Sequence, residues 1–313
     1  MKSSSRTFLR RLAAAVAVPA VLLGGLVGAS PAEARPADDG SPVRIMPLGD
    51  SITWGVGSAA TNSYRTDLYW RLAGAGIPVD FVGSMRSGQS PDPDNEGHKG
   101  WTIAQIAEHV DDWMATYRPD VVLLHIGTND MVRGVADAPL QLDALLDRIA
   151  ADRPGVQVFV AKIVGLADYL DVATQQQRTA AYNASIGAIV EGKGPDFHLV
   201  DQSDVHGIDM WNREHPNDYG YRKMAWNWYR ALRPVLGEGR AWPGSEDPYL
   251  ARYGTRCIQR STLGAAVQGC HTWVRTTASA WRLPVRSKRL YRVKIKGRTV
   301  MRVRVTTRFI TAS

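Results

Sequence analysis

Short apolar runs and longer amphipathic segments alternate along the first two thirds of the chain. Apolar runs that end at glycine, proline or polar clusters are typical of buried strands, whereas apolar residues that recur every three or four positions are typical of helices. The predicted strands are 45–48, 79–82, 121–126, 156–162 and 197–200, and the predicted helices are 64–73, 102–117, 140–150, 175–191 and 217–232.

These elements predict the fold class. Strands that alternate with helices at this spacing form a parallel α/β sheet with helices on both faces. Because crossover connections are right-handed, few strand orders remain, and we expect a flavodoxin-like, three-layer α/β/α fold with its five strands in the order 2-1-3-4-5. Thr102 and the stretch 61–63 are expected to cap helices. Residues 84–100 show no periodicity and are expected to form a long loop.

The pattern changes after residue 236, so we predict a large domain at 43–236 and a small β-rich extension at 237–313. Alternating segments of the extension predict strands at 281–285, 290–295 and 299–306, with 296–297 as a hairpin turn.

The extension also contains the two cysteines of the chain, Cys257 and Cys270. In a secreted protein, two cysteines so close in sequence predict one disulfide. A zinc site is disfavoured, because these cysteines and His271 do not have the usual four-ligand spacing.

The N-terminus has the organisation of a secretory signal peptide. Basic residues precede the apolar, small-residue stretch 12–29, and Ala32-Glu33-Ala34 has the form of a cleavage site. We therefore expect residues 1–34 to be removed, 35–42 to be a polar linker and the mature protein to be secreted. A retained membrane anchor is the alternative, which Pro19 and several glycines disfavour. No later run is long and apolar enough to span a bilayer.

Charge is unevenly distributed along the chain. The formal net charge is +8, but residues 40–236 carry 17 Lys and Arg against 24 Asp and Glu, whereas residues 281–313 carry 11 basic residues and no acidic one. The basic tail is either a solvated hairpin face or a surface for an anionic cell-wall polymer or acidic glycan. A nucleic-acid partner is disfavoured by the predicted signal peptide and by the lack of a nucleic-acid-binding motif.

Four loops that follow predicted strands carry polar side-chain or backbone groups, which should meet at one edge of the sheet, since ligands of open α/β sheets bind at the carboxyl ends of the strands. Ser51 follows the first strand, Gly83 the second and Asn129 the third, and His215 precedes the last helix. A hydroxyl nucleophile needs a base to take its proton, and a developing oxyanion needs fixed donors. The four positions therefore favour acyl transfer.

The sequence around these positions resembles a known family. Gly49-Asp50-Ser51, Gly83, Gly127-Thr128-Asn129-Asp130 and His215-Pro216 match, in order, the blocks of the SGNH (GDSL) hydrolases. Longer stretches, including Pro47–Thr53, Asp80–Ser84, Glu96–Ile103 and Ile126–Asp130, are similar to the acetylxylan esterases of carbohydrate esterase family three. The resemblance covers about residues 43–235.

The resemblance implies a serine esterase without metal or cofactor. Ser51 would be the nucleophile and His215 the general base, while the backbone N–H groups of Ser51 and Gly83 and the side chain of Asn129 would form the oxyanion hole. The predicted substrate-binding residues are Asp50, Trp54, His98 and Trp101.

One position departs from the family pattern. The family usually has Asp three residues before the histidine, where this chain has Asn212. The acid normally holds the imidazole tautomer and stabilises its positive charge. We expect either Asp209 or a main-chain carbonyl to support His215 instead, with Asn212 able to accept the ring N–H but also able to flip.

The predicted function is therefore hydrolysis of O-acetyl or other short acyl esters on carbohydrate, with xylan as the first candidate. A lipase or general carboxylesterase is the alternative within enzymes. A non-catalytic glycan-binding protein, weakened by Asn212, is the alternative in another class. The expected partners are acetylated polysaccharide or small esters.

Overall fold

The computed structural model of the protein describes residues 41–167, 173–237 and 247–250, together with the backbone of four later strands at 253–258, 269–275, 281–295 and 298–312. The predicted signal peptide at 1–34, nearly all of the predicted linker at 35–42 and the predicted turn at 296–297 lie outside the described residues.

The described elements of the α/β part are seven strands and eight α-helices. The strands are β1 (Val43–Gly49), β2 (Val79–Phe81), β3 (Met85–Arg86), β4 (Asp94–Gly97), β5 (Val121–His125), β6 (Gln157–Lys162) and β7 (Phe197–Asp201). The helices are α1 (Ser51–Trp54), α2 (Arg65–Gly74), α3 (Ile103–Ala107), α4 (Val110–Tyr117), α5 (Thr128–Arg133), α6 (Ala138–Asp152), α7 (Ala173–Glu191) and α8 (Asp218–Leu236).

The central sheet is mainly parallel. β2 pairs with β1, β1 with β5, β5 with β6 and β6 with β7, all in parallel. These are the five predicted strands, and the parallel α/β fold is confirmed, but the described sheet differs in detail from the predicted five strands in the order 2-1-3-4-5, because it has seven strands. β4 also pairs in parallel with the carboxyl end of β1, and β3 pairs with β4 in antiparallel fashion.

The prediction of a long loop at 84–100 is wrong in part, because β3 and β4 lie within it. The buried side chains of β4 are polar: Asn95 and Glu96 are fully buried. They are satisfied by hydrogen bonds rather than by apolar contacts. A strand of this kind has no apolar alternation, which is the pattern from which strands are predicted.

Two apolar cores cover the two faces of the sheet. Successive residues of a strand point to opposite faces, so Ile45 and Leu123 pack with residues of α2 and α8. Met46 and Leu124 pack with residues of α3, α4, α6 and α7 on the other face. The predicted three-layer arrangement is confirmed by these two clusters.

Helix boundaries differ from the predictions at several points. The predicted helix at 102–117 is divided into α3 and α4 at Glu108 and His109, and the His109 ring contacts Trp101 and Trp113. Thr102 caps α3 as predicted, through a capping box with Gln105. Among the described residues, no helix is both long enough and apolar enough to cross a bilayer.

Three further differences concern α2, α5 and α8. α2 has no side-chain cap from residues 61–63; Ser63 Oγ donates instead to the Ile52 carbonyl. The sequence analysis predicts no helix at the position of α5. α8 continues past Pro234 to Leu236, since a proline near the end of a helix disrupts only the last turn.

The extension contains a second sheet, which is antiparallel. Its strands are β8 (Tyr253–Ile258), β9 (Gly269–Arg275), β10 (Trp281–Ile295) and β11 (Arg298–Ala312), in the order β11-β10-β9-β8. The predicted short strands at 281–285 and 290–295 form one long strand, β10. Cys257 lies directly opposite Cys270 in the pairing of β8 with β9. The predicted disulfide involves side chains outside the described part of the chain and stays a prediction.

Candidate active site

Ser51 lies at the carboxyl end of β1, in the turn from the strand into α1. Asp50 caps this helix: its Oδ1 accepts the N–H of Ile52 at 2.9 Å. Gly49 is required at the end of the strand, because a Cβ there would lie 2.2 Å from the carbonyl oxygen of His125 on β5. The turn thus presents Ser51, which is half-buried, at the rim of the sheet.

The structure brings Ser51 and His215 together. Ser51 Oγ lies 2.8 Å from His215 Nε2, although 164 residues separate them in sequence. The loop that carries His215 is closed by hydrogen bonds from the Trp211 N–H to the His215 carbonyl and from the Asn217 N–H to the Asp209 carbonyl. Gly57 lets this loop approach α1, since a Cβ on Gly57 would lie 2.4 Å from the Pro216 carbonyl oxygen.

Asn212 contacts the ring nitrogen of His215 that is opposite the one facing Ser51. Its Oδ1 lies 3.0 Å from His215 Nδ1 and also accepts the backbone N–H groups of His215, at 2.8 Å, and Glu214, at 3.0 Å. Two backbone donors point at this atom, so it must be the amide oxygen, because a flipped amide would present its NH₂ group to them. The network therefore disfavours the flip that the sequence left open. It also places the ring proton on Nδ1 and leaves Nε2 free to accept from Ser51.

Asp209, the expected alternative support for His215, is occupied elsewhere. Its Oδ2 lies 2.7 Å from Lys223 Nζ of α8, and both side chains are almost fully buried. The ammonium group also lies 5.4 Å from the ring centre of Tyr219 and 5.1 Å from that of Tyr249. The partner of His215 Nδ1 is thus Asn212. This corrects the hypothesis that Asp209 supports the ring.

The environment of His215 favours the neutral imidazole. Burial lowers the pKa of His215 below its usual value, and the neighbouring Glu214 carboxylate opposes this effect only in part. A histidine with a lowered pKa is uncharged at neutral pH. It can therefore accept a proton from the serine hydroxyl.

The three predicted oxyanion donors differ in whether they already donate a hydrogen bond within the protein. Among the described residues, no hydrogen bond engages the backbone N–H of Ser51 or Gly83. Asn129 Nδ2 donates to the Trp101 carbonyl at 2.8 Å and to Asp50 Oδ2 at 3.4 Å. The second bond is long, so the hydrogen directed at Asp50 is the one that a substrate oxygen can most easily capture.

Asp50 was predicted to bind substrate, but its carboxyl is fully buried. Burial raises the pKa of Asp50 to about 7, against the lowering effect of the hydrogen bond from the Ile52 N–H. Its oxygens accept from Ile52 and Asn129. Asp50 therefore holds the turn and the Asn129 amide and is not exposed to a substrate, which corrects the prediction.

The other predicted substrate-binding side chains are aromatic. The ammonium group of Lys99 lies 4.5 Å from the ring centre of the half-buried Trp54. His98 stacks against Trp101, with ring centres 4.1 Å apart, and against Trp113, at 4.8 Å. Its Nε2 lies 2.5 Å from Glu96 Oε1. The structure thus packs His98 and Trp101 against each other, and their predicted contact with a substrate stays a prediction.

Two residues near the site were missed by the sequence analysis. Arg65 is fully buried, and its guanidinium donates to five backbone carbonyls and to Ser87 Oγ. Two of these carbonyls belong to Thr53 and Trp54 of α1, so Arg65 anchors the helix that begins with Ser51. Glu96 is the second: it accepts hydrogen bonds from the backbone N–H and the hydroxyl of Ser84. No periodicity or motif spacing indicates the role of Arg65 or of Glu96.

Two negative observations apply to the described part of the chain. No group of three or more His, Cys, Asp or Glu side chains there is arranged to hold a metal ion. A cavity of about 380 Å³, which includes Lys162, Asn183 and Ser203 in its lining, contains neither Ser51 nor His215.

Comparison with known proteins gives concordant matches. The family described as the GDSL-like Lipase/Acylhydrolase family matches residues 48–223. A multidomain esterase of Ruminococcus flavefaciens is 30% identical over 237 residues, which are 66% of this chain but only 30% of the relative. The chain therefore spans less than a third of that relative's length.

Solved structures match the same part of the chain. A family 3 carbohydrate esterase from Clostridium thermocellum is 38% identical with a TM-score of 0.56, over 61% of this chain and 96% of the other. A mutant acetyl esterase, solved with an acetate ion, is 29% identical with a TM-score of 0.53, over 61% of this chain and 96% of the other.

Proposed function

The chain belongs to the GDSL-like lipase/acylhydrolase family, and on that basis we propose that it is a serine esterase that removes acetyl groups from carbohydrate. The observation that carries this proposal is the 2.8 Å contact between Ser51 Oγ and His215 Nε2, with the opposite ring nitrogen held by Asn212. This is the arrangement of nucleophile, base and orienting group that acyl transfer requires.

In the first half of the reaction, Ser51 Oγ attacks the ester carbonyl while His215 Nε2 takes the hydroxyl proton. The negative oxygen of the tetrahedral intermediate is held by the backbone N–H groups of Ser51 and Gly83 and by the Asn129 amide. When the intermediate collapses, the bond to the sugar oxygen breaks and His215 returns its proton to that oxygen. The sugar hydroxyl leaves, and the acetyl group stays on Ser51.

In the second half, water takes the place of the sugar. His215 removes a proton from the water as it attacks the acyl-enzyme, and the same donors hold the second oxyanion. Collapse breaks the bond to Ser51 Oγ, which recovers its proton from His215, and acetate is released. Asn212 keeps the ring proton on Nδ1 throughout, so Nε2 is always the nitrogen that faces the reacting atoms.

The substrate class is supported by the relatives rather than by the geometry. Two of the similar structures, a family 3 carbohydrate esterase and an acetyl esterase, share more than 25% identity with the chain. We therefore propose acetylated plant polysaccharide, with xylan first, over lipid or general esters. Secretion through residues 1–34 and attachment to anionic polymer through residues 281–313 complete the proposal and rest on the sequence alone.

The test is acetate release from acetylated xylan by the purified protein, with Ser51→Ala as the matched control. We expect release by the wild type and none above background by the variant. A chain-length series of nitrophenyl esters then separates the alternatives: a steep preference for acetyl favours the carbohydrate esterase, and a preference for long chains a lipase. Glycan binding without any turnover of these esters would refute the esterase and leave the non-catalytic glycan-binding protein.

A further inference from the structure

Glu96 is a buried carboxylate beside the site that the acyl-transfer steps do not use. Its side chain is fully buried in β4. Oε2 accepts the backbone N–H of Ser84 at 2.6 Å, and Oε1 accepts the Ser84 hydroxyl at 2.6 Å. His98 Nε2 lies 2.5 Å from Oε1. Both carboxylate oxygens are thus occupied, two of the three contacts being with Ser84.

Ser84 is the residue that follows Gly83, one of the proposed oxyanion donors. The peptide group between them is held by Glu96 through the Ser84 N–H. Gly83 is held from the other side by close packing, since a Cβ on Gly83 would lie 2.3 Å from the carbonyl of Asn95. The backbone at Gly83 is therefore fixed by β4 on both sides, by a contact with Asn95 and by a pair of hydrogen bonds to Glu96.

The same strand is aligned with the strand that leads to Ser51. Glu96 pairs with Leu48 and Gly97 with Gly49 in the parallel register of β4 and β1. The backbone N–H of His98 donates to the Gly49 carbonyl at 2.9 Å. β4 thus connects the turn of Ser51 with the backbone of Gly83, which are the two places from which backbone donors are proposed to reach one oxygen.

We propose that Glu96 is a positioning residue that fixes the Gly83 N–H relative to the Ser51 N–H, with His98 holding its carboxylate in place. The inference rests on the proposed function. Oxyanion donors act more strongly on the tetrahedral intermediate than on the bound ester, so their displacement lowers kcat and leaves KM nearly unchanged. A displacement of about 1 Å can cost on the order of 100-fold in rate.

The variant is Glu96→Gln, which preserves size but replaces one accepting oxygen with an NH₂ group that cannot accept from Ser84. Its matched control is Asp94→Asn, which removes the same charge from the same strand at a half-buried residue that pairs with Arg86. Kinetics are measured with a nitrophenyl acetate and compared with the melting temperature of each protein. A second variant, Ser84→Ala, removes one of the two bonds without touching the carboxylate.

We expect kcat to fall about 10- to 100-fold in Glu96→Gln at unchanged KM, by a smaller factor in Ser84→Ala, and by less than twofold in Asp94→Asn. Wild-type kcat in a folded Glu96→Gln, or a loss confined to KM, overturns the inference and leaves the proposed esterase standing. If Glu96→Gln does not fold, an unchanged kcat in Ser84→Ala overturns it. If the wild type hydrolyses no ester, the proposed function fails, and an unmoved Gly83 backbone in crystals of Glu96→Gln then refutes the positioning role.

Discussion

Replacing Asn212 with aspartate tests the role of the residue behind His215. In the wild type, Asn212 Oδ1 accepts three N–H groups, including the ring N–H of His215. Asn212→Asp keeps an oxygen in this position and adds a negative charge next to the imidazole. The neutral imidazole gains little from that charge, whereas the imidazolium that forms as Ser51 attacks gains a charge-assisted hydrogen bond.

The magnitude follows from the difference between the two kinds of hydrogen bond. A neutral bond contributes about 1 kcal/mol and one to a charged group roughly 1.5–3 kcal/mol, so the imidazolium gains about 1 kcal/mol or slightly more. Since 1.36 kcal/mol corresponds to one pKa unit and to a tenfold rate, we expect kcat to rise about 5- to 10-fold and the pKa of His215 to rise by somewhat less than one unit. The carboxylate of Glu214 opposes an added negative charge nearby, so we expect no larger rise in kcat or in the pKa of His215.

The pH dependence provides the sharper signature. Only the neutral imidazole acts as base, so activity falls as the pH drops through the pKa of His215, which lies below its usual value in the wild type. Raising this pKa moves the acid limb to higher pH. At pH 8, kcat of Asn212→Asp should therefore exceed that of the wild type by the full factor of about 5 to 10. At the acid end the two kcat values should approach each other, because the higher rate constant of the variant is offset by its smaller fraction of neutral His215.

The assay is the pH profile of kcat for a nitrophenyl acetate between about pH 4 and pH 9, for the wild type, Asn212→Asp and Asn212→Ala. The alanine variant removes the acceptor and leaves the ring free to rotate or change tautomer, which costs on the order of 100-fold or more. A faster Asn212→Asp whose acid limb is not displaced would refute the account, because both effects arise from one interaction. A kcat of Asn212→Ala equal to that of the wild type would also refute it.

Three further predictions follow from the buried charges and the basic tail. Arg65→Met removes the guanidinium from five backbone carbonyls, of which those of Trp54 and Pro93 keep other donors. The loss of the donor at the other three should lower the free energy of unfolding by about 3–5 kcal/mol in urea denaturation, since each unsatisfied group costs about 1–3 kcal/mol before water enters; a loss below about 1 kcal/mol would contradict this. Asp209→Asn removes the charge that pairs with the buried Lys223 and should destabilise by about 3–5 kcal/mol, yet in the folded protein the acid limb of the pH profile should not move, because Asn212 and not Asp209 contacts the ring. Deleting 281–313 should abolish retention on an anionic polysaccharide at low salt and change nothing at about 1 M salt, where charges are screened beyond about 3 Å; equal retention of the truncated protein would dismiss the attachment.

The parts of the fold that follow from apolar periodicity could be predicted from the sequence. β1, β5 and β6 are buried on both faces and appear in the sequence as continuous apolar runs, and the right-handed crossover rule then leaves their order nearly determined. β4 could not be predicted in this way. Its buried residues, Asn95 and Glu96, are stabilised by hydrogen bonds whose partners are brought together only by the folded chain.

In the candidate site, too, some features could be predicted from the sequence and others could not. Ser51, Asn129 and His215 each follow or precede a predicted element at the same edge of the sheet, so topology alone placed them near one another. The partner of His215 depended instead on the path of a short loop, and the sequence left Asn212, Asp209 and a carbonyl open. What decides among them is the direction of two backbone N–H groups, at Glu214 and His215, which orient the Asn212 amide. Because a neutral oxygen held in this way can fix the ring tautomer but cannot match a carboxylate in stabilising the imidazolium, the structure predicts an enzyme with the correct geometry and a reduced rate, which a single substitution to aspartate should increase.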